Sequence, residues 1–276
     1  MEHLQTALER FKRQRQTQSP PNRLGPGQPI PPPIVYSRTR SLEVPESILR
    51  EQRILAGFGQ GSFVEAYKIL RTQVLLRLRE EGWNVLTVTS PGEGEGKTLT
   101  AINLAISLAM DTTQTVLLVD ANLAKPCIHE LFGMDEAPGL VDYLFSDMPV
   151  EELLIHPGIG RLVLMPGGRP IPNSSEALTC QKMAALVQEF RTRYASRVVV
   201  FDLPPLLKSA DALAFSPYSD ALLLVAEEGR TTVEEVQRAL ELVKGKCPVL
   251  GTVLNKAGRI GMTPAHMRQL LGSYDA

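Results

Sequence analysis

A chain of 276 residues with 43% hydrophobic side chains is long enough for one α/β domain with a flanking arm and can bury a sizeable core. Its net charge of -1 argues against a nucleic-acid footprint spread over the whole protein. Cys127, Cys180 and Cys247 are scattered and form no Cys-x-x-Cys pair, which excludes an obvious disulfide frame or zinc site and fits a reducing cytoplasm.

No run approaches the ~18 apolar residues of a membrane span, and the first residues are polar and charged rather than signal-like. Residues 1–15 place Leu4, Leu8 and Phe11 on one helical stripe among Arg10, Lys12, Arg13 and Arg15, a short basic amphipathic segment. Residues 1–40 hold seven basic and two acidic side chains, so this arm is suited to peripheral contact with an acidic membrane face. A solvated tail is the plainer reading, because the stripe is only three residues deep. Seven prolines between positions 20 and 33 mark residues 16–45 as an extended linker that cannot form a core. The folded domain is expected over 46–258, followed by a pliable tail at 259–276.

The helical period returns at Ser62–Glu81, where Phe63, Ala66, Ile69, Leu70, Val74, Leu75 and Leu78 mark an apolar face and Gly82 ends the run. Glu65, Lys68 and Arg71 share its polar side. The strand-like Val85-Leu86-Thr87-Val88 then enters Ser90-Pro91-Gly92-Glu93-Gly94-Glu95-Gly96-Lys97-Thr98, and a helix follows. Strand, glycine loop and helix are the context a phosphate-binding loop requires, although Pro91 stands where the first glycine of the usual spacing would be. Gly92, Glu93, Gly94, Glu95, Gly96, Lys97, Thr98 and Thr100 are the expected nucleotide contacts. Lys97 would reach the β- and γ-phosphates, and the Thr98 hydroxyl would bind Mg²⁺.

Downstream, Thr115-Val116-Leu117-Leu118-Val119-Asp120 and Val198-Val199-Val200-Phe201-Asp202 are buried-type strands, each ending in a carboxylate. Strands are also expected at 161–166, 221–225 and 249–254. Helices are expected from Asn173 towards Tyr194 and from Thr232 to Lys244. This alternation predicts a doubly wound, mainly parallel α/β sheet with helices on both faces and a ligand at the carboxyl ends of its strands. Asp202 is the candidate outer carboxylate for the metal, and Asp120 the candidate to deprotonate an attacking hydroxyl or water.

These three motifs, with Leu117-Leu118-Val119-Asp120-Ala121-Asn122 in the middle and Val200-Phe201-Asp202-Leu203-Pro204-Pro205 at the end, resemble the Walker A, Walker A′ and Walker B motifs of the bacterial tyrosine kinases. The resemblance spans about residues 60–256. It implies a P-loop domain of seven or eight strands that uses ATP and Mg²⁺ and can assemble into rings. It also implies a membrane-embedded polysaccharide co-polymerase (chain-length determinant) as partner, placing the chain at the inner face of the membrane, and a role in exopolysaccharide or capsule synthesis. Glu65-Lys68-Arg71 is similar to the family's subunit-contact motif, with Lys68 in place of one arginine.

Several positions depart from that pattern. Asn122 replaces a second Walker A′ acid and could still offer an oxygen to the metal, Ala124 replaces an arginine, and Leu203 replaces a hydroxyl residue. Only Tyr274 stands in the stretch where the family carries a tyrosine cluster, so it is the expected phosphoacceptor. ATP binding therefore rests on more of the pattern than tyrosine transfer does. The two open readings are an ATP-dependent protein-tyrosine autokinase and a degenerate ATP-binding regulator. A partitioning ATPase is disfavoured by Gly92, where a second lysine would stand, and by Pro204-Pro205.

Overall fold

The computed structural model describes residues 39–58, 61–111, 114–193 and 197–257. The amphipathic segment at 1–15, the proline-rich stretch and the tail with Tyr274 lie outside the described residues. The chain enters through β1 (Arg40–Ser41) and α1 (Glu46–Glu51), and the long α2 (Ser62–Glu81) leads into β2 (Val85–Thr89), α3 (Lys97–Ala109) and β3 (Thr115–Asp120). The short helices α4 (Ile128–Leu131), α5 (Leu140–Ser146) and α6 (Val150–Leu153) precede β4 (Ile155–His156) and β5 (Leu162–Met165). Then α7 (Ser174–Thr179) and α8 (Gln181–Thr192) lead to β6 (Arg197–Asp202), α9 (Asp211–Phe215) to β7 (Ala221–Glu227), and α10 (Val233–Val243) to β8 (Val249–Asn255).

These strands form one sheet in the order β1-β4-β5-β3-β6-β2-β7-β8. Every neighbouring pair is parallel except β4 with β5. The central strands are continuous apolar runs because both of their faces are covered. Alternation along the pleat sends Val85, Leu117, Val119, Val199 and Phe201 to one core, with α8 and α10. It sends Leu86, Val88, Val116, Leu118, Val198 and Val200 to the other, with α2 and α3.

The edge strand β1 and its neighbour β4 were not legible as apolar runs. Each is two residues long, and Arg40–Ser41 lies inside the range that composition assigns to the linker. Parallel pairing with Ile155–His156 draws this segment into the sheet, so the folded region starts before 46. The stretch expected as one helix towards Tyr194 is two. Cys180 turns to an extended backbone (φ -67, ψ 155) and its Sγ accepts the Met183 N–H at the start of α8.

Helix α2 has the expected limits, with Gly82 in the left-handed conformation closing it. Its buried face is narrower than the apolar period suggests. Val64, Val74, Leu75 and Leu78 are buried, while Phe63, Ile69 and Leu76 are exposed. Arg71 donates to the Ser107 carbonyl oxygen at 3.0 Å, and Lys68 pairs with Glu65 at 2.7 Å.

Asn103 of α3 anchors the entering chain beneath the glycine loop. Its Oδ1 accepts from Leu55 N (2.8 Å) and Ala56 N (3.0 Å), and its Nδ2 donates to Arg53 O (3.1 Å) and Leu99 O (2.9 Å). Asn103→Ala strands backbone groups that lie away from solvent, so it should lower the unfolding free energy by about 2–4 kcal/mol. Urea denaturation reads this directly, and a change below about 0.5 kcal/mol would mean that these bonds contribute little.

Candidate active site

The loop between β2 and α3 is shaped by two glycines with positive φ, Gly94 (75°) and Gly96 (91°). Side chains could not replace them. A Cβ on Gly94 would lie 2.9 Å from Arg230 Nη1, and one on Gly96 would overlap the Asn255 side-chain amide. Ser90 Oγ donates to Gly92 O at 2.6 Å, while Leu206 N donates to Ser90 O (2.8 Å) and Leu207 N to Pro91 O (3.2 Å). The loop is thus tied to the segment that leaves β6. The N-terminus of the 13-residue α3 opens at Lys97, so its dipole adds positive potential beside the loop.

Parallel pairing sets Asp120 directly opposite Asp202, on adjacent strands β3 and β6. Asp202 is fully buried and accepts from Thr98 Oγ1 at 2.7 Å through Oδ2. Lys97 Nζ donates to Thr98 Oγ1 at 2.8 Å and stands 3.6 Å from Asp202 Oδ1. That Oδ1 is buried and has no hydrogen-bond partner among the described residues. Asp120 is also fully buried. Its Oδ2 accepts from Cys127 N (2.8 Å) and Ile128 N (2.9 Å), and its Oδ1 from Asn122 N (3.2 Å).

Burial pushes the Asp120 carboxyl up to about 7, and the neighbouring Asp202 charge adds to that rise, while the three backbone N–H groups oppose it. Burial also raises Asp202, against the Lys97 charge and the Thr98 hydrogen bond. The Cys127 thiol is pushed up to about 12 by burial and then by Asp120, which leaves it inert as a nucleophile.

Some of the expected contacts take other roles. Glu95 is buried, and its carboxylate accepts from Gly92 N at 2.8 Å and from the Thr231 hydroxyl. It therefore braces the loop and takes the Gly92 N–H that a phosphate was expected to meet. Glu93 pairs with Lys125 at 3.3 Å near the surface. Thr100 is fully buried and faces Tyr67 of α2, because the fourth residue of α3 already points into the core. Asn122 meets Asp120 through its backbone N–H, and Leu203, where the family pattern has a hydroxyl, is fully buried.

Sequence reasoning missed Asn255 and Lys256. Asn255 Nδ2 donates to Glu95 O at 2.9 Å, and Lys256 Nζ donates to Gly94 O at 2.9 Å while pairing with Glu227 at 2.9 Å. Both follow the apolar run of β8, so the rule that ligands sit at the carboxyl ends of strands could have found them.

Residues 86–271 match the CobQ/CobB/MinD/ParA nucleotide binding domain. The tyrosine-protein kinase YwqD of Bacillus subtilis is 32% identical over 192 residues, which cover 69% of this chain and 80% of that protein. The tyrosine-protein kinase etk of Escherichia coli is 31% identical over 195 residues, 70% of this chain but 26% of that protein. The chain therefore spans about a quarter of that relative, as it does of EpsB from Ralstonia solanacearum. The solved kinase domain of Escherichia coli tyrosine kinase ETK is similar with a TM-score of 0.68 at 28% identity, covering 83% of this chain and 92% of that one. The septum site-determining protein MinD of Pyrococcus horikoshii OT3 shares the fold, with a TM-score of 0.56 at 20% identity, covering 68% of this chain and 76% of that one.

Proposed function

The chain belongs to the bacterial tyrosine kinases within the CobQ/CobB/MinD/ParA nucleotide-binding family, and from that premise we propose that it is an ATP-dependent protein-tyrosine autokinase. The observation that carries the reading is Asp120. It is buried, held by three backbone N–H groups and raised to about 7, across from Lys97, Thr98 and Asp202. A base of that strength is matched to a phenol near neutral pH. A tyrosine Oη would attack the γ-phosphorus of ATP as its proton passes to Asp120. The bond from that phosphorus to the bridging oxygen breaks, and ADP leaves. Lys97 and the N-terminus of α3 would orient the phosphates and meet their charge.

Mg²⁺ fits the residues present. Asp202 Oδ1 is a buried carboxylate oxygen, unpartnered among the described residues, beside the Thr98 hydroxyl. Among the described residues no cluster of three or more His, Cys, Asp or Glu could hold a metal alone. That suits an ion bound by one or two carboxylates and by substrate phosphates. Thr98 and Asp202 would hold it, with Asp120 and Asn122 as nearby oxygen donors, and it would supply charge neutralisation for the phosphates. Asp202→Asn should raise the Mg²⁺ concentration needed for half-maximal turnover by about tenfold or more, while metal-free nucleotide affinity changes little. Superimposable Mg²⁺ titrations would remove Asp202 from that role.

The exposed Phe63, Ile69 and Leu76 of α2, next to the Glu65–Lys68 pair, support a subunit contact on this helix and hence a homo-oligomer. Among the described residues no helix is long and apolar enough to cross a membrane. The proposed setting is the inner membrane face, beside a polysaccharide co-polymerase, in control of exopolysaccharide or capsule synthesis. Incubation with ATP and Mg²⁺ should label Tyr274, and Tyr274→Phe should remove most of that label. Lys97→Ala protein should become labelled only when mixed with active chains. Saturating ATP without any phosphotyrosine would turn the reading to an ATP-binding regulator.

A further inference from the structure

We propose, resting on the kinase reading above, that an acidic cleft beside Asp120 docks a separate acceptor protein and selects tyrosines flanked by arginine or lysine. The cleft has a volume of about 630 Å³, within the usual range of ligand-binding clefts. It is built around the base. Asp120 Oδ2 accepts from Ile128 N at 2.9 Å, and the next residue, His129, lines the cleft. On the other wall Gly168 lines it, and a Cβ on the preceding Gly167 would lie 2.6 Å from Pro126 Cβ and 3.5 Å from Asp120 Cγ. Each wall is thus one residue removed from a backbone group beside Asp120.

The walls are held at a fixed separation. Leu140 N donates to Pro166 O at 2.8 Å and Val141 N to Gly167 O at 3.0 Å, and a side chain on Gly139 would overlap the Pro166 carbonyl. Asp142 Oδ2 accepts from Gly139 N at 2.8 Å, which fixes one of the lining carboxylates. A cleft formed in advance loses little freedom when a ligand enters.

Charge identifies the occupant. Glu130, Asp135, Glu136 and Asp142 line the cleft with one guanidinium, that of Arg169, so negative charge is concentrated here in a chain whose net charge is only -1. Asp135 and Glu136 are exposed and form no ion pair among the described residues. These carboxylates repel a triphosphate, so the cleft is not an extension of the nucleotide site, and a two-substrate reaction needs a second way to the base. Nor do they suit one metal ion, since among the described residues no group of three or more His, Cys, Asp or Glu is placed to hold one. Carboxylates spread along a cleft suit several cations carried on one chain, the guanidinium and ammonium side chains of a peptide.

His129 is a second sign of an occupant. It is only 8% exposed, and its Nδ1 is buried with no hydrogen-bond partner among the described residues. Its Nε2 stands 4.0 Å from Glu130 Oε1. A ring nitrogen left open in the wall of a cleft is a group that a bound peptide's amide or hydroxyl completes. With the basic flanks on the acidic wall, the acceptor's tyrosine Oη bonds to the γ-phosphorus of ATP and its proton passes to Asp120. The bond from that phosphorus to the bridging oxygen breaks, and ADP leaves.

The test uses the full chain with ATP, Mg²⁺ and two synthetic peptides, each with one central tyrosine flanked by arginines in the first and by glutamines in the second. At low salt the kcat/KM for the arginine peptide should exceed that for the glutamine peptide by about tenfold or more, and the gap should close as salt rises. Asp135→Asn combined with Glu136→Gln should erase the advantage and leave the glutamine peptide's kcat/KM unchanged. Asp135→Lys combined with Glu136→Lys should turn the preference to a peptide flanked by glutamates. Fluorescence anisotropy of the labelled arginine peptide without ATP reads the same site as binding, which should weaken by about tenfold in the first variant. Equal kcat/KM for the arginine and glutamine peptides, a preference that survives both variants, or autophosphorylation without transfer to either peptide overturns the proposal and leaves the kinase reading intact. No phosphotyrosine on the chain or on any peptide overturns both.

Discussion

Lys97→Ala is expected to cut ATP turnover by about 10²- to 10³-fold, the range found when one preorganised electrostatic partner of a transition state is removed. The Lys97 side chain is only 12% exposed, stands 3.6 Å from Asp202 and donates to Thr98, so no solvent cation can take its place at fixed geometry. A second consequence distinguishes this site from an ordinary surface lysine. Lys97 opposes the burial that raises Asp202, so its loss should raise that carboxyl further. The variant should therefore lose more stability at pH 8, where Asp202 is driven to ionise, than at pH 5. Steady-state turnover and denaturation at the two pH values read both effects, and wild-type turnover in Lys97→Ala would reject the site.

Asp120→Asn is expected to reduce phosphoryl transfer by about 10²- to 10⁴-fold, the usual contribution of a positioned base. Its stability signature has the opposite sense. Asp120 is raised from 3.8 to about 7, so between those values the folded protein holds a proton that the unfolded chain has released. Stability of the nucleotide-free wild type should then fall as pH rises from about 4 to about 7 and level off above that. The amide introduced by Asp120→Asn has no such proton to release, so that slope should flatten, leaving only the contribution of the raised Asp202. Wild-type turnover should rise through the same window as the base ionises. Equal pH slopes of stability in the two proteins would show that Asp120 is not the strained carboxylate.

Much of the centre was legible because it depends on local pattern. Continuous apolar runs require cover on both faces, so the six longer strands and their parallel pairing could be read from Val85, Thr115, Leu162, Val198, Ala221 and Val249 onward. The glycine loop, Lys97, Thr98 and the two strand-terminal carboxylates follow from spacing alone, and Asp120 does stand beside Asp202. The limits of α2 were also legible, since Gly82 stops a helix by its own backbone freedom. Its buried stripe was not. The apolar period counts Phe63 and Ile69 as inward, and only the packing of the helix on its neighbours decides that Val64, which the period leaves out, is covered instead.

What the sequence by itself determined is therefore the layered α/β plan and the meeting of Lys97, Thr98 and Asp202, with Asp120 opposite, at the carboxyl ends of its strands. Each rests on a property of a short segment: a period, a turn residue, or a charge at the end of an apolar run. Tertiary structure decided the rest. β1 is a strand because it pairs with β4, and β4 because it lies between β1 and β5, Glu95 became a brace because Thr231 reaches it, and Asn255 and Lys256 joined the loop from across the sheet. The rise of Asp120 to about 7 belongs to the same class, since burial and the facing Asp202 come from segments 82 residues apart, and no local pattern carries their distance or the dielectric between them.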